Sequence, residues 1–471
     1  MAFQLIRCGL ASAKLNPLAR YSSHAAHKFS HALQSAPATE LTVLDNGIRV
    51  ATEKTSSPTA TIGVWVEGGS RYESAELNGI ANFIERLLFK GSKTRSKKQL
   101  EKDVYGLGAV LNSYNDRESS GFYATVAPGD VSKASELLAD LIQNPALSSE
   151  NIEETRNEVL KELEESQSNH EQVVMDYLHS VAFQNTSLAQ SKFGSTENIQ
   201  RFTKDHIEQG LDLFFKGPRM VIAASGNVEH DQIVKLAQQG FKGVSTVYEK
   251  NGIPSSPVGH YTGSDIRVRD DSMDAAYVAF AVEGPGYNNP DYVAMKVASS
   301  LYAPWDLTHG GGENLSNYYG LVSASDHLTQ AVKPFNLAYK DTALWGVYFI
   351  GERMKLADMC WQIQHQWKRL YLEIANNEIR FGKNNLLTKL ITQRDGSASN
   401  ANSIASDVLR FGRRISLEEW QSKIAQVNSD KIHQMGEKYF WDQCHAMSSL
   451  GPVEELPVYD DLRMTMSWVR Y

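Results

Sequence analysis

The chain has 471 residues, of which 42% are hydrophobic and 22% charged, a globular composition long enough for two or more domains with cores of their own. The formal net charge is −8, although residues 1–39 contribute four positive charges and no negative one, so residues 40–471 carry −12. This acidic balance argues against a nucleic-acid-binding surface, which needs clustered Lys and Arg. Charge-free stretches such as 342–351 are about half of the ~20 apolar residues that cross a bilayer, so no transmembrane segment is predicted.

Residues 1–39 are predicted to be a mitochondrial transit peptide. They are rich in Ser and Ala, contain no acid, and place apolar residues on one helical face beside two basic ones: Phe3, Ile6, Leu10 and Ala13 with Arg7 and Lys14. These two basic residues interrupt the apolar core that a secretory signal needs. We expect cleavage between Tyr21 and Thr39. The mature chain would then keep only Cys360 and Cys444, which excludes a disulfide framework and a zinc ribbon.

The first elements of the chain are predicted to be a hairpin, a strand and an amphipathic helix. Asn46-Gly47 separates two short apolar runs, the pattern of a hairpin turn, and residues 61–66 form a β-rich run that ends at glycines. Residues 78–91 place five apolar side chains on one helical face: Ile80, Phe83, Ile84, Leu87 and Leu88. We expect Asn78 to be the N-cap of this helix and Gly91 to end it.

Two strands and two helices follow the first helix. Residues 110–115 and 120–126 are predicted to be strands joined by the charged turn at 116–118, and a helix begins near Val131. A longer helix is expected from Glu150 to about Glu165, with one face carrying a run of glutamates: Glu154, Glu158, Glu162 and Glu165. Such a run usually forms a solvated helix face.

The chain is internally duplicated. Residues 64–69 recur as 280–285 at an offset of 216, and residues 226–229 recur as 451–454 at an offset of 225. A Pro, Gly and Ser-rich stretch separates the two copies. The sequence therefore predicts a leader at 1–39, a domain at 41–245, a linker at 246–261 and a homologous domain at 262–471. Each domain is predicted to be α+β, with a mostly antiparallel sheet covered by helices.

On the flank of the predicted first helix stand Asn82, Glu85 and Arg86, at the positions that His, Glu and His occupy in an H-x-x-E-H metallopeptidase helix. Taken alone, N-x-x-E-R is an ordinary polar helix edge. At an offset of 216 these positions correspond to Ala298, Leu301 and Tyr302, so any chemistry would belong to the first half only.

Together, the leader, the duplicated α+β unit and the N-x-x-E-R helix followed by F-K-G-S resemble the inverted-zincin family of the mitochondrial processing peptidase. Further stretches resemble its β-type branch: residues 111–114 with Arg117 and Glu118, the loop at 305–316 with its three glycines, and residues 411–414. The resemblance covers nearly all of the mature chain. It implies that the strand at 111–115 is a sheet edge that pairs with extended peptides. The resemblance also implies that the glycine-rich loop faces the peptide cleft, and the alternative is that its three glycines are only a flexible connector.

By this resemblance, five residues occupy a vestigial zinc site: Asn82, Glu85, Arg86, Thr155 and Glu162. The family's last zinc ligand is a Glu about 75 residues after the second His, and Glu162 lies at that spacing from Arg86. Two imidazoles and a carboxylate are needed to hold the zinc, and Glu85 would be the vestigial general base. Because a guanidinium stays protonated, Arg86 would place a positive charge where a dication should bind. We expect no bound metal or other cofactor, neither haem nor quinone.

We expect Arg86 to replace the metal electrostatically by pairing with Glu162, and with Glu85 as a further partner. The alternative is that all three side chains are hydrated in an open cleft. Only the pairing predicts a guanidinium within hydrogen-bonding distance of Glu162.

The resemblance implies a non-catalytic core subunit of mitochondrial ubiquinol:cytochrome c reductase (complex III), peripheral on the matrix side of the inner membrane. Its expected partners are a second core-type subunit, cytochrome b, cytochrome c1 and the iron-sulfur protein. The alternative is a β-type subunit of the processing peptidase, either an active zinc enzyme or a non-catalytic partner that binds presequence peptides. An active enzyme would require both histidines.

Overall fold

Two six-stranded sheets form the framework of the chain in the computed structural model, which describes residues 37–247, 258–310 and 318–467. Three stretches that the sequence singles out lie partly outside these ranges: the leader, the centre of the linker and the second half of the loop at 305–316. None of the helices that the structure describes is long and apolar enough to cross a membrane.

The first sheet contains six strands: β1 (Thr39–Val43), β2 (Arg49–Lys54), β3 (Ala60–Val66), β4 (Val110–Asn115), β5 (Ser120–Val126) and β6 (Met220–Gly226). Their order is β1-β2-β6-β3-β5-β4, and only β2 and β6 run parallel. The predicted hairpin at Asn46-Gly47 is confirmed, because β1 and β2 pair antiparallel and Gly47 has a φ of 81°. The predicted strand pair β4–β5 is confirmed with its bounds unchanged, and β4 lies at the sheet edge.

The first half also contains eight helices among the residues described: α1 (Ile80–Leu88), α2 (Lys97–Leu107), α3 (Val131–Gln143), α4 (Ser149–Gln167), α5 (His170–Ala182), α6 (Thr196–Arg201), α7 (Lys204–Phe214) and α8 (His230–Gly240). All five residues of the predicted apolar stripe of α1 are buried in the core of this half. Helix α1 packs against α4, α7 and β4, so its position is fixed on several sides.

The second sheet repeats the first: β7 (Asp265–Arg269), β8 (Ala276–Pro285), β9 (Trp305–Asp306), β10 (Thr329–Ala338), β11 (Thr342–Gly351) and β12 (His445–Gly451). Their order is β7-β12-β8-β11-β10-β9, and only β7 and β12 run parallel. Strands β6 and β12 have the same length at an offset of 225, and the last residue of each is a glycine with positive φ, Gly226 and Gly451. The predicted fold class, α+β with two homologous domains, is confirmed.

The second half adds eight described helices: α9 (Tyr292–Ser299), α10 (Tyr318–Ser325), α11 (Leu356–Leu372), α12 (Asn376–Thr392), α13 (Ser397–Phe411), α14 (Leu417–Ala425), α15 (Ser429–Tyr439) and α16 (Tyr459–Ser467). Side chains alternate between the two faces of the sheet, as the pleat requires. In β8, for example, Ala279 and Ala281 face one layer while Phe280 stacks on Trp367 of α11, with ring centroids 4.8 Å apart.

Each half contributes one helix that packs on the sheet of the other half. Helix α5 belongs to the first half by sequence, yet it packs on β8 and β12, where Val174 and Leu178 are fully buried. Helix α13 of the second half packs on β2, β3 and β6, burying Ile404 and Val408. Residues 38–471 accordingly form one compact unit.

The predicted N-cap of α1 is wrong. Gly79 precedes the helix with a φ of 96°, and a Cβ atom at this position would lie 2.7 Å from the Cα of Gly194. Asn78 instead donates to Glu73 Oε2 at 3.0 Å. The carboxylate of Glu73 accepts from the backbone N–H groups of Gly79 and Ala81, both at 2.8 Å, so an acid supplied by the preceding loop caps the helix. The helix also ends at Leu88, three residues before Gly91.

Candidate functional site

The polar flank of α1 faces α4 and the edge strand β4. Glu85 is 5% exposed, and its Oε1 accepts a hydrogen bond from Ser113 Oγ of β4 at 2.7 Å. Burial raises the pKa of the Glu85 carboxyl, while the bond from Ser113 and the positive charge of Arg86 lower it. Glu85 is therefore a desolvated acid held in place by a neighbouring strand.

Arg86 contacts Glu162 across the α1–α4 interface. Its Nε donates to Glu162 Oε2 at 3.1 Å, and the two side chains are 39% and 34% exposed. The predicted pairing of Arg86 with Glu162 is confirmed. No direct bond between Arg86 and Glu85 is found, and the alternative in which all three side chains are hydrated is wrong for Glu85, because that residue is buried.

The glutamate run on α4 is not simply a solvated face. Lys90, whose side chain is 6% exposed, lies just after α1 and donates to Glu154 Oε1 at 3.0 Å and to Glu158. Lys97 at the start of α2 also binds Glu154, at 2.7 Å. Glu154, Glu158 and Glu162 are spaced four residues apart, which places them along one helix face opposite the basic residues near α1. These three glutamates stay 41%, 45% and 34% exposed, so the expected solvated face is kept, and its acids are ion-paired as well.

Two further positions of the predicted site, Asn82 and Thr155, lie within the α1–α4 packing. Asn82 is 4% exposed and Thr155 is fully buried. Asn82 Nδ2 and Thr155 Oγ1 have no hydrogen-bond partner among the residues described. The structure thus places all five predicted site residues on two neighbouring helices, three of them buried and two paired at the surface.

This set of donors does not fit zinc. Zinc sites in proteins use imidazole, thiolate and carboxylate ligands, and a hydrolytic site keeps one position open for water. Here an amide and a guanidinium stand at the helix positions of the two imidazoles, and the guanidinium already binds the carboxylate of Glu162. Within the described ranges, no group of three or more His, Cys, Asp or Glu is arranged to hold a metal ion.

The second half places different residues at the corresponding positions. Helix α9 ends at Ser299, so Leu301 and Tyr302 lie after the helix rather than on it, and Tyr302 is buried. Of the loop at 305–316, the structure describes the residues up to Gly310, with β9 pairing to β10. The remainder of that loop, including Gly311 and Gly312, lies outside the residues described.

Arg414, in the stretch 411–414, belongs to a buried polar network that was not predicted from the sequence. Arg414 donates to Glu53 Oε1 at 3.0 Å and to Asp407 Oδ2 at 2.9 Å, and its side chain is 5% exposed. Asn400 bridges the same network by donating to Glu53 at 2.8 Å. Glu53 belongs to β2 and the other three residues to the second half. These residues join the two halves. The signal that could have pointed to the network is Glu53, an acid within strand β2.

A duplicated α+β fold with an N-x-x-E-R helix packed beside Glu162 defines a class: an inverted-zincin-like protein whose helix lacks both histidines. The profile of the insulinase family, peptidase family M16, matches residues 49–196, and the profile of the M16 inactive domain matches residues 201–386.

Curated relatives extend this match to nearly the whole chain. Rat cytochrome b-c1 complex subunit 1, mitochondrial, is 43% identical over 443 residues, which are 94% of this chain and 92% of the rat protein. The mouse mitochondrial-processing peptidase subunit beta is 39% identical over 93% of this chain and 89% of its own length. The chain belongs to the insulinase family of peptidases, family M16.

A solved structure agrees with this assignment. A chain in the structure of complex III2 from Candida albicans with Inz-5 bound superposes with a TM-score of 0.81 at 26% identity, covering 91% of this chain and all of that chain. The sequence-based resemblance to the β-type branch of the mitochondrial processing peptidase family is confirmed.

Proposed function

We propose that this chain is a non-catalytic core subunit of mitochondrial ubiquinol:cytochrome c reductase, supporting the assembly and stability of that complex. It would lie peripherally on the matrix side of the inner membrane, paired with a second core-type subunit and contacting cytochrome b, cytochrome c1 and the iron-sulfur protein. The observation that carries the proposal is the bond from Arg86 to Glu162 at the place where the family's peptidases bind zinc.

The site is proposed to be vestigial at five positions: Asn82, Glu85, Arg86, Thr155 and Glu162. A cation fixed on Glu162 opposes a second cation at the same carboxylate by direct repulsion. Without the metal there is no Lewis acid and no activated water, so Glu85 would have no proton to abstract from a bound nucleophile. Glu85 is proposed to have kept a structural role, holding β4 against α1 through Ser113.

The domain organisation is proposed as follows: a transit peptide at 1–39, a peptidase-like domain at 41–245, a linker at 246–261 and a homologous domain at 262–471. Strand β1 begins at Thr39, which is compatible with cleavage before this residue. Intact-mass measurement of the protein purified from mitochondria tests the leader. A mature mass that retains residues 1–20 would contradict a cleavage site between Tyr21 and Thr39.

A second candidate is a β-type subunit of the mitochondrial processing peptidase. It is favoured by the 39% identity to the mouse subunit and by β4, an edge strand with free backbone groups next to Glu85. In this role the chain would bind presequence peptides without cleaving them, or it would hydrolyse them with zinc.

Native electrophoresis of mild-detergent extracts distinguishes the two candidates. We expect the chain to co-migrate with cytochrome b, and the complex to be lost when the chain is depleted. Zinc content and presequence cleavage are measured on the same purified material. Stoichiometric zinc together with cleavage, or co-migration with a processing peptidase partner in place of cytochrome b, would contradict the proposal.

A further inference from the structure

A cavity of about 270 Å³ opens between four helices of the second half, α9, α12, α13 and α14. Three basic side chains line it, one from each of three helices or their ends: Lys296 from α9, Arg394 just after α12 and Arg410 from α13. Asp407 is the one acidic residue among the lining residues. The cavity lies in the second half, far in sequence from α1 and its polar flank.

Acids balance the positive charges of this cavity only in part, because Asp407 and Glu53 attract Arg394 while each already forms an ion pair with Arg414. Asp407 is already bound by Arg414 at 2.9 Å, and no carboxylate in the described part of the chain lies within ion-pairing distance of Lys296, Arg394 or Arg410. Lys296 Nζ instead lies 5.0 Å from the ring centroid of Trp420. Each cation therefore keeps donors that no carboxylate in the described ranges occupies.

The basic side chains are held in position by neutral groups. Arg394 Nη2 donates to the backbone oxygen of Ile415 at 2.7 Å, and Arg410 lies over the ring of Tyr287 at 5.6 Å. Burial, with a smaller contribution from the nearby charge of Arg414, lowers the pKa of Arg394 to about 10, although the carboxylates of Asp407 and Glu53 oppose this shift. A guanidinium that is desolvated beside another cation gains from a bound anion.

Neutral hydrogen-bond donors complete the lining. Asn402 Oδ1 accepts from Trp65 Nε1 at 2.8 Å, which fixes the amide so that its nitrogen is left to donate. Ser403 Oγ accepts from Arg414 Nη1 at 2.8 Å, so its hydroxyl hydrogen is also available. These two bonds thus leave Asn402 and Ser403 able to act as donors.

We infer that this cavity binds a small phosphate dianion, either inorganic phosphate or the phosphate of a phosphomonoester. Three cations and two neutral donors match the several acceptor oxygens of a phosphate group, and a guanidinium binds such oxygens through its fork of N–H groups. The small volume favours a soluble ion over the headgroup of a lipid that remains in a membrane. This inference does not depend on the proposed function.

Equilibrium dialysis of the purified full-length chain against ³²P-labelled inorganic phosphate, at fixed ionic strength, tests the inference. We expect one saturable site. For each of the variants Lys296→Gln and Arg410→Gln we expect the Kd to rise by about tenfold or more, because each removes a charge-assisted hydrogen bond. Arg413→Gln is the matched control, because Arg413 is exposed, binds Glu419 and does not line the cavity.

The source of the phosphate is tested by competition. Glycerol phosphate should displace the labelled ion, whereas vesicles containing anionic phospholipid should not. Circular dichroism and thermal unfolding of each variant confirm that the fold is kept. The inference is overturned if wild-type protein shows no saturable binding, if the three variants bind phosphate equally well, or if only the vesicles compete.

Discussion

Arg86 and Glu162 form an ion pair that is more important for the electrostatics of the site than for stability. Both side chains are more than a third exposed. Exposed ion pairs contribute about 0–1 kcal/mol, because water screens the charges and two long side chains lose freedom. The consequence of the pair is instead that the carboxylate of Glu162 is already neutralised by a group that does not lose its proton.

Restoring both imidazoles should restore metal binding. In the double variant Asn82→His/Arg86→His, two neutral imidazoles would face Glu162 on α4, and we expect about one zinc per chain by atomic absorption after dialysis. The matched control is Asn82→Gln/Arg86→Gln, which also removes the guanidinium but adds no imidazole. Zinc in the control at the same level as in the histidine variant would contradict the assignment of these positions.

His445 is a buried residue that makes the fold sensitive to acid. It is fully buried in β12, stacked on Tyr459 with ring centroids 4.2 Å apart, and neither ring nitrogen has a hydrogen-bond partner among the residues described. Burial, together with the nearby positive charges of Arg463 and Arg267, lowers the pKa of His445 from 6.5 to about 3. The folded state therefore holds this imidazole neutral over a range in which the unfolded chain binds a proton.

The variant His445→Phe should remove that sensitivity. Because the pKa of His445 is lower in the folded state than in the unfolded chain, the protein has its full stability above about pH 6.5. It loses stability as the pH falls toward 3, because only the unfolded chain binds the proton. Below pH 6.5 we expect the free energy of unfolding of wild-type protein to fall relative to the variant, by up to about 1.4 kcal/mol per pH unit. Urea unfolding at several pH values measures this. The exposed His433→Gln serves as control, and a pH-independent difference between wild type and His445→Phe would refute the argument.

At the level of elements, α5 and α13 are the helices that tie the halves together. Each helix covers a face of the other half's sheet, and each turns mostly apolar residues toward that sheet. Both are joined to the partner half by polar contacts as well: His179 of α5 contacts the hydroxyl of Tyr339 at 2.7 Å, and Asn402 of α13 accepts from Trp65. Replacing a buried apolar side chain of either helix by a smaller one should therefore lower the stability of both halves.

Ile404 on α13 is fully buried against the first sheet. We expect Ile404→Ala to lower the free energy of unfolding by about 2–5 kcal/mol, because the substitution removes buried methyl groups and leaves a cavity. The control Ile404→Val keeps most of the volume and should cost about 0.5–1.5 kcal/mol. Chemical denaturation followed by circular dichroism measures both. Equal and small effects of the two variants would mean that α13 is not held on the first sheet.

At the scale of the whole molecule, a buried ion-pair cluster connects the two halves, in addition to helices α5 and α13. Arg71, with a side chain only 1% exposed, donates to Glu118 Oε1 at 2.5 Å in its own half and to Asp341 Oδ1 at 2.7 Å in the other half. Asp341 also accepts from the backbone N–H of Gly259 at 2.7 Å. The carboxylate of Asp341, in the β10–β11 turn, thus links the first half and the described end of the linker to the second half.

The two halves should therefore unfold together. We expect one calorimetric transition for wild-type protein, and for Asp341→Asn one transition with a free energy of unfolding lower by about 1–3 kcal/mol, the usual contribution of a bond to a charged group. Asp270→Asn is the matched control, since Asp270 is an exposed acid of the same half whose carboxylate bonds Ser272 nearby in sequence. Two separate transitions in the wild-type protein would contradict the coupling.

Much of this architecture could be predicted from local sequence. The strand pair at 110–126, the hairpin at Asn46-Gly47 and the apolar stripe of α1 follow from short-range patterns of hydrophobicity and turn residues. The cap of α1 could not be found in this way, because Glu73 reaches the helix from outside the usual capping positions. The pairing of α4 glutamates with Lys90 and Lys97 likewise joins helices that are distant in sequence.

The sequence by itself determined the duplication, the two α+β domains and the absence of histidine from the N-x-x-E-R positions, because periodicity, spacing and residue identity are properties of the chain. Only the tertiary structure decided that Arg86 binds Glu162, that Glu85 is buried against Ser113, and that α5 and α13 each pack on the sheet of the other half. The physical reason is that these contacts depend on which apolar faces are left uncovered once both sheets have formed. A local sequence pattern indicates that an apolar face must be buried, but which surface covers that face depends on the assembled fold.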